Sequence, residues 1–173
     1  WPGSLTFTAN LAPSPVFQDG AAPGLQGAGL CVEKTPVVIP GKSIPDAGSF
    51  SAECWFKISE STIYPNGWFY ILGRNGHINQ DGFFGFTLQN DRAGAALNIG
   101  GGKDNRVWLH GNSTFTKNTW HHLAMTYDGQ TLSLFVDGKP QGSEQVSKAR
   151  TPGGEDLVLG MDAGTSLFQA HRL

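Results

Sequence analysis

The sequence predicts an all-β fold, a sandwich of two packed sheets, and three observations support this prediction. The chain of 173 residues contains 24 glycines and 10 prolines but only 15% charged residues, a composition that favours short strands and tight turns over helices. Polar and apolar residues alternate with a period of two along most segments, as they do in half-buried strands. Turn residues interrupt these segments often enough to predict about eleven to thirteen short strands.

In the first part of the chain, the clearest alternation lies at residues 50–57. Phe50, Ala52, Cys54 and Phe56 share one face of this predicted strand, and Ser51, Glu53, Trp55 and Lys57 share the other. Residues 9–28 are rich in Pro, Gly and Ala and predict a long irregular loop. Further strands are predicted at residues 4–8, 30–32, 37–39, 68–72, 83–88, 95–99 and 106–110, and residues 100–103 are interpreted as a flexible hairpin connection.

The second part of the chain carries the strongest hairpin signals. The strands predicted at residues 120–127 and 131–136 are each followed by an Asp-Gly pair, at positions 128–129 and 137–138. Each pair predicts a two-residue turn, because glycine adopts a positive φ at no steric cost. Both faces of residues 120–127 are mostly bulky, which predicts a central strand that is packed on both sides. Two last strands are predicted at residues 156–159 and from residue 167 onward.

Composition also excludes several classes of partner. The net charge is −2, with acidic and basic residues interspersed, so the clustered Lys and Arg on which nucleic-acid affinity depends are absent from the sequence. No segment approaches the roughly 20 apolar residues that cross a bilayer. We therefore expect no nucleic-acid partner and no membrane insertion.

The two cysteines, Cys31 and Cys54, lie within strand-like segments. A disulfide between facing strands and a pair of buried free thiols are equally consistent with the sequence. The spacing of the two residues has no metal-binding signature. Cysteine content therefore does not decide the redox compartment.

A specific resemblance enters at residues 120–129, which read W-H-H-L-A-M-T-Y-D-G, and at residues 134–138, which read L-F-V-D-G. Together with the segments at 29–32, 50–57, 157–160 and 168–173, this pattern resembles the laminin-G-like domains of the concanavalin-A-like lectin/glucanase superfamily. The resemblance covers roughly residues 25–173 and implies an antiparallel two-sheet jelly-roll β-sandwich. The family's closing strand would start where the chain stops, at Leu173. We therefore expect residues 1–173 to be a single domain that lacks this strand and belongs to a longer protein.

The resemblance implies a non-catalytic recognition module of a secreted or cell-surface protein. A carbohydrate-binding domain, with a carbohydrate or glycoprotein ligand, is the favoured function. The alternative is a protein-interaction, structural or adhesion module that docks onto neighbouring protein domains and binds no sugar. A glycoside hydrolase is disfavoured, because such enzymes need paired carboxylates and no two acidic residues occupy positions i and i+2 of one predicted strand.

Sugar binding requires aromatic platforms beside amide, carboxylate or cationic groups. Two segments of the sequence provide this combination, and the candidate ligand-binding residues are Tyr64, Asn66, Trp68, Arg74, Asn105, Arg106, Trp108 and His110. Residues 75–81 and 90–92 supply further amide-rich loops, which we expect to lie nearby. The alternative is that the tryptophans belong to the core between the two sheets, as large aromatic residues often do.

One structural calcium ion is implied by the same resemblance, with Asp19 as its candidate ligand in the chain. Oxygen ligands such as this carboxylate suit calcium. The alternative is that Asp19 only stabilises its own turn. The adjacent His121 and His122 do not suggest a metal site, because neighbouring side chains of a strand point to opposite faces.

Overall fold

The computed structural model describes residues 21–23, 28–30, 36–58 and 68–160. Within these ranges the chain forms twelve strands and two short 3-10 turns, and no helix is long and apolar enough to cross a membrane. The strands are β1 (Ala21–Pro23), β2 (Ala28–Leu30), β3 (Val37–Ile39), β4 (Phe50–Lys57), β5 (Trp68–Arg74), β6 (Phe84–Gln89), β7 (Arg92–Asn98), β8 (Arg106–Thr114), β9 (Trp120–Tyr127), β10 (Thr131–Val136), β11 (Lys139–Gln145) and β12 (Leu157–Leu159).

The strands form two main sheets, and every pair of neighbours is antiparallel. One sheet has six strands in the order β3-β12-β5-β6-β7-β8, and the other has four in the order β11-β10-β9-β4. The predicted all-β sandwich is therefore confirmed. The irregular loop predicted at residues 9–28 is wrong in part, because β1, which lies within it, pairs with β2 as a small separate two-stranded sheet.

The core lies between the two sheets. The alternation predicted for β4 is confirmed, since Phe50 and Ala52 are buried and Glu53 and Trp55 are exposed. The other sheet contributes Phe86 and other apolar side chains of its inner face. Because these inner faces exclude water from side chains of both sheets, their burial supplies the main driving force for folding.

The prediction for β9 is only half right. Leu123, Met125 and Tyr127 are at most 1% exposed and belong to the core. The other face is not packed: Trp120 and His122 are only half-buried, and no second layer covers them within the described residues. Bulky side chains on both faces of a strand therefore did not indicate burial on both faces, because this outer sheet surface carries aromatic side chains.

The two Asp-Gly pairs form different turns. Asp137 and Gly138 have φ values of 48° and 74° and directly join the paired residues Val136 and Lys139, as predicted for a two-residue hairpin turn. The prediction for Asp128-Gly129 is wrong in length, since the last paired residues are Tyr127 and Leu132. There the Asp128 carboxylate accepts hydrogen bonds from the N–H groups of residues 130 and 131, at 2.8 and 2.7 Å, and stabilises a longer loop.

Cys54 points toward the core from β4 as a free thiol. Burial, together with the neighbouring Glu53 carboxylate, raises the pKa of this thiol to about 12. The thiol is therefore protonated and unreactive near neutral pH. Cys31 lies outside the described residues, and because Cys54 is free the structure favours the free-thiol alternative for this residue over a disulfide.

Candidate functional site

The outer face of the six-stranded sheet has a row of small residues at its centre. Gly73, Gly85 and Ala96 lie side by side on β5, β6 and β7, and Trp108 follows on β8. The ring of Phe83 covers this row, since a Cβ atom on Gly85 would lie 3.0 Å from the Phe83 ring and 2.6 Å from a backbone oxygen of β5. The glycines are therefore required to let the Phe83 ring approach the sheet this closely.

Phe83 is the centre of a second apolar cluster, separate from the core between the sheets. Ile78 and Ala96 are buried with it, and Tyr70 and Trp108 pack against it as partly buried side chains. The rings of Tyr70 and Phe83 meet edge to face, with centroids 6.0 Å apart. Trp108 thus belongs to the outer surface of the sandwich and not to its inter-sheet core, and part of its indole is accessible.

Trp108 and His110 form a short aromatic row along β8, the edge strand of this sheet. Their ring planes are parallel to within 1°, with centroids 6.2 Å apart, and His110 is exposed. Opposite His110 on β7 stands Gly94, which carries no side chain beside the imidazole. A Cβ atom on Gly94 would lie 2.5 Å from Oγ1 of Thr87 and 3.8 Å from Nδ1 of His110. No side chain therefore projects from the sheet at this position beside the row.

Arg106 continues the same row, because it lies two residues before Trp108 on the same face of β8. Its Nε donates to the carbonyl of Lys103 at 2.6 Å, and its Nη1 donates to Oδ1 of Asn79 at 3.1 Å. These two bonds hold the exposed guanidinium in one orientation. We call Arg106, Trp108 and His110 the β8 row.

The loop between β7 and β8 is organised by Asp81. One carboxylate oxygen accepts hydrogen bonds from the N–H groups of Gly101 and Gly102, at 2.9 and 3.1 Å. These backbone donors lower the pKa of Asp81. Asn105 is tied into the same loop, since its Nδ2 donates to the carbonyl of Gly101 at 3.0 Å. Residues 100–103 are the hairpin connection predicted from the sequence.

Arg74 lies away from this surface. It is 2% exposed, and its guanidinium donates to the carbonyls of Gly41, Ile44 and Pro45 at 3.3, 2.7 and 3.2 Å. Burial lowers the pKa of this guanidinium. Arg74 therefore anchors the segment before β4, and we leave it out of the proposed site.

The structure brings four predicted residues together at one end of β8, namely Asn105, Arg106, Trp108 and His110. Tyr64, Asn66 and Asp19 lie outside the described residues, and Trp68 is described only as the first residue of β5, opposite Gln89. Of the amide-rich loops, Asn79 reaches Arg106. The prediction that residues 90–92 lie nearby is wrong, because they form the turn at the opposite end of β6 and β7.

The sequence analysis missed an exposed tryptophan on the opposite sheet. Trp55 is 53% exposed on the outer face of β4, and its ring centroid lies 5.0 Å from that of His122. Nε2 of His122 lies 3.3 Å from a carboxylate oxygen of Glu53, and the Lys57 ammonium lies 5.3 Å from the Trp120 ring. The signal was present in the alternation of β4, which placed Trp55 among the polar residues.

The paired histidines diverge, as predicted. His121 Nδ1 lies 2.9 Å from a carboxylate oxygen of Asp137, whereas His122 faces Glu53 on the other side of the sheet. In the described part of the chain, no group of three or more His, Cys, Asp or Glu side chains could hold a metal ion.

Comparison with known proteins connects this architecture to one superfamily. The family model described as the concanavalin A-like lectin/glucanases superfamily matches residues 33–171. No curated protein matches the chain. Among solved structures, the binding domain of Paraclostridial Mosquitocidal Protein 1 superimposes with a TM-score of 0.66 at 12% identity, and the match covers 87% of this chain and 39% of that one.

Two further structures have the same fold. Domains LG4-5 of the mouse laminin alpha1 chain give a TM-score of 0.62 at 17% identity, over 82% of this chain and 37% of that one. The Ruminococcus gnavus IT-sialidase CBM40, bound to alpha2,3 sialyllactose, gives a TM-score of 0.52 at 15% identity, over 72% of this chain and 67% of that one. The chain thus spans well under half of the laminin and mosquitocidal chains. With the family model matching most of its length, the chain belongs to the concanavalin A-like lectin/glucanase superfamily.

Proposed function

We propose that the chain is a non-catalytic carbohydrate-binding module that holds its sugar on the β8 row. One observation carries this proposal: two parallel aromatic rings, the half-buried Trp108 and the exposed His110, lie on the outside of the sheet. An aromatic ring offers a flat apolar face to the C–H face of a sugar ring, and adjacent polar groups orient the sugar by hydrogen bonds. Arg106 and Asn79 provide such groups at the end of the row.

Binding modules with this fold support the proposal. The CBM40 structure carries sialyllactose, and a related botulinum neurotoxin domain carries N-acetylneuraminic acid. At such low identity these proteins share the fold with this chain and not a demonstrated site. The proposal for this chain therefore depends on its own residues. We also propose that the module works outside the cell or at the cell surface, as part of a secreted or surface protein.

The absence of an enzymatic role is part of the same proposal. Glycosidases of this kind act through two carboxylates that face each other across the scissile bond. Of the carboxylates beside the β8 row in the described structure, Asp81 is committed to the backbone N–H groups of Gly101 and Gly102. A turnover assay with the bound glycan should detect no hydrolysis, and product formation would contradict the proposal.

The first experiment measures binding to a panel of glycans for the wild-type protein, for Trp108→Ala and, as a matched control, for Trp55→Ala. Both changes remove an indole, but from opposite sheets. We expect Trp108→Ala to weaken glycan binding about tenfold or more, a loss of about 1.4 kcal/mol or more, because the stacking face is removed. Trp55→Ala should leave the affinity unchanged. Calorimetric titration gives the two affinities.

Trp108 also packs on the cluster around Phe83, so its loss can destabilise the sheet. His110→Ala is the second variant, because His110 is exposed and its removal leaves the cluster intact. Melting curves of all variants identify any that are unfolded. Folded Trp108→Ala and His110→Ala proteins that both keep full glycan affinity would refute the site.

A second function is favoured by one specific observation, the exposure of Trp55. In this alternative the outer face of the four-stranded sheet docks onto a neighbouring domain or subunit and no sugar binds. An exposed tryptophan beside half-buried aromatic residues is typical of interaction surfaces. Under this function the glycan panel is negative, and Trp55→Ala, but not Trp108→Ala, weakens attachment to the neighbouring domain.

A further inference from the structure

Arg106 differs from the other arginines whose contacts are described, because it is fixed in place and yet not neutralised. Arg150 forms a bidentate pair with Asp46, and Arg74 is buried with both of its Nη atoms donating to backbone carbonyls. Arg106 uses only Nε and Nη1, toward a carbonyl and an amide oxygen. Within the described residues its Nη2 donates to no acceptor, and no carboxylate pairs with it. The exposed Arg106 guanidinium therefore presents the unused N–H donors of Nη2 at the end of the β8 row.

The surroundings of Arg106 favour an anion. Lys103 is exposed in the adjoining turn, and Lys148 reaches this loop, since a Cβ atom on Gly101 would lie 3.3 Å from its Nζ. Two carboxylates oppose these three cations: Asp104 in the same turn, and Asp81, which is occupied by backbone N–H groups. The local balance is therefore positive, although the chain as a whole carries a net charge of −2.

We propose that the ligand of the β8 row is an anionic glycan, one that carries a carboxylate or a sulfate ester. The sugar ring lies on Trp108, and the oxyanion accepts hydrogen bonds from Nη2 of Arg106. A planar guanidinium matches the geometry of either oxyanion, and its two existing bonds reduce the conformational entropy lost on binding. This inference rests on the proposed carbohydrate-binding function and names its ligand class.

The experiment uses a glycan panel in which each acidic glycan is paired with its neutral parent. Lactose, sialyllactose and sulfated lactose form one such set, and the last two distinguish a carboxylate from a sulfate. We expect at least one acidic form to bind about tenfold tighter than its neutral parent, and the preference to shrink as salt is raised. Arg106→Gln should abolish the preference, so that this variant binds the acidic form and its neutral parent with equal affinity.

The matched control is Arg92→Gln, which removes the same charge from an exposed residue on β7. Arg92 and Asn98, the residue opposite Arg106, stand six positions apart on β7, about 20 Å along the strand. The control should keep the full acidic preference. Arg106→Lys keeps the charge but not the planar donor set, and it should retain only part of the preference.

The outcomes separate this inference from the proposed function. If neutral and acidic forms bind equally, or if folded Arg106→Gln keeps the acidic preference, the anionic ligand is refuted while carbohydrate binding stands. If no glycan of the panel binds, both proposals fail. If Arg92→Gln and Arg106→Gln lose the acidic preference equally, only long-range attraction between the protein and the anionic glycan is shown, and the assigned contact with Arg106 is refuted.

Discussion

At the scale of single residues, the most consequential contact within the described structure is the buried pair of Asp46 and Arg150. Both carboxylate oxygens of Asp46 accept hydrogen bonds from Arg150 at 2.8 Å, and Nδ2 of Asn75 and the N–H of Gly153 donate at 2.9 and 2.7 Å. The Arg150 guanidinium lies about equally near the rings of Phe50 and Phe84, at 5.2 and 5.3 Å. The pair therefore ties the segments at residues 46 and 150–153 to the core.

Burial by itself raises the pKa of Asp46, but the bonds from Arg150, Asn75 and Gly153 outweigh it and lower the pKa below the ordinary 3.8. A carboxyl group whose pKa is depressed by folding stabilises the protein above its unfolded-state pKa. This stability is lost as the pH falls through the folded-state pKa. At neutral pH the Asp46 carboxylate therefore makes its full contribution to the free energy of unfolding.

Asp46→Asn should destabilise the protein by about 3–5 kcal/mol at neutral pH, because it leaves the Arg150 charge buried without a counter-ion. The difference from wild type should shrink as the pH falls from 3.8 through the lower pKa of the folded state, where the wild-type carboxyl becomes protonated. Denaturant unfolding over this pH range measures both effects. Asp104→Asn, in an exposed turn, is the control. A difference that does not change with pH would contradict the role of the charge.

At the scale of the elements, β11 shows why one strand escaped the sequence analysis. Its residues, Lys139–Gln145, are almost all exposed and show no alternation, because β11 is the edge of the four-stranded sheet and Pro140 is tolerated there. Gln141 links this edge to β8 of the other sheet: its Oε1 accepts hydrogen bonds from the N–H groups of Asn112 and Ser113, at 3.1 and 3.0 Å. Pairing, and not residue pattern, makes this segment a strand.

The turn before β4 depends on a glycine for a steric reason. Gly41 is buried, and its N–H donates to a carboxylate oxygen of Asp156 at 2.9 Å. A Cβ atom here would lie 2.2 and 2.4 Å from the carbonyl oxygens of Gly154 and Glu155. Two backbone segments therefore approach too closely for any side chain between them.

Gly41→Ala should cost about 1–3 kcal/mol of unfolding free energy, since backbone atoms must move to admit the methyl group. Gly48→Ala is the matched control, because no atom lies within 4 Å of the position of its Cβ atom. That variant should be neutral or slightly stabilising. Equal thermal stability of both variants would show that the segment at residues 154–155 moves freely.

At the scale of the whole molecule, the sandwich offers two chemically different outer faces. The outer face of the six-stranded sheet carries the β8 row beside glycine and alanine residues, which project little from the sheet. The outer face of the four-stranded sheet carries Trp55 with charged and aromatic neighbours. The two faces lie on opposite sides of one core. A substitution on one face therefore serves as a control for the other, as in the pair of Trp108→Ala and Trp55→Ala.

The candidate calcium ligand, Asp19, lies outside the described residues, and within them no group of three or more His, Cys, Asp or Glu side chains could hold a metal ion. We propose that a structural calcium ion binds through Asp19. Calcium should then raise the melting temperature, by mass action on the folded state, a chelator should lower it, and Asp19→Asn should abolish the difference. Asp104→Asn again serves as the control. Identical melting curves with calcium and with chelator would contradict the proposal.

The sequence by itself determined the fold class, the faces of β4 and the turn at Asp137-Gly138. These follow from the period of two along a strand and from the backbone conformations open to glycine and aspartate. The motif at residues 120–138 also determined the family. Of the candidate site, Asn105, Arg106, Trp108 and His110 were identified together, because they are adjacent along one strand.

Only the tertiary structure decided which surfaces are covered. The period of two shows which side chains share a face, but not whether another layer lies against that face. Arg74 became buried because the segment at residues 41–45 folds over it, Trp108 stayed outside the core, and the second face of β9 stayed open. Burial depends on contacts between residues far apart in the chain, and local alternation contains no information about them.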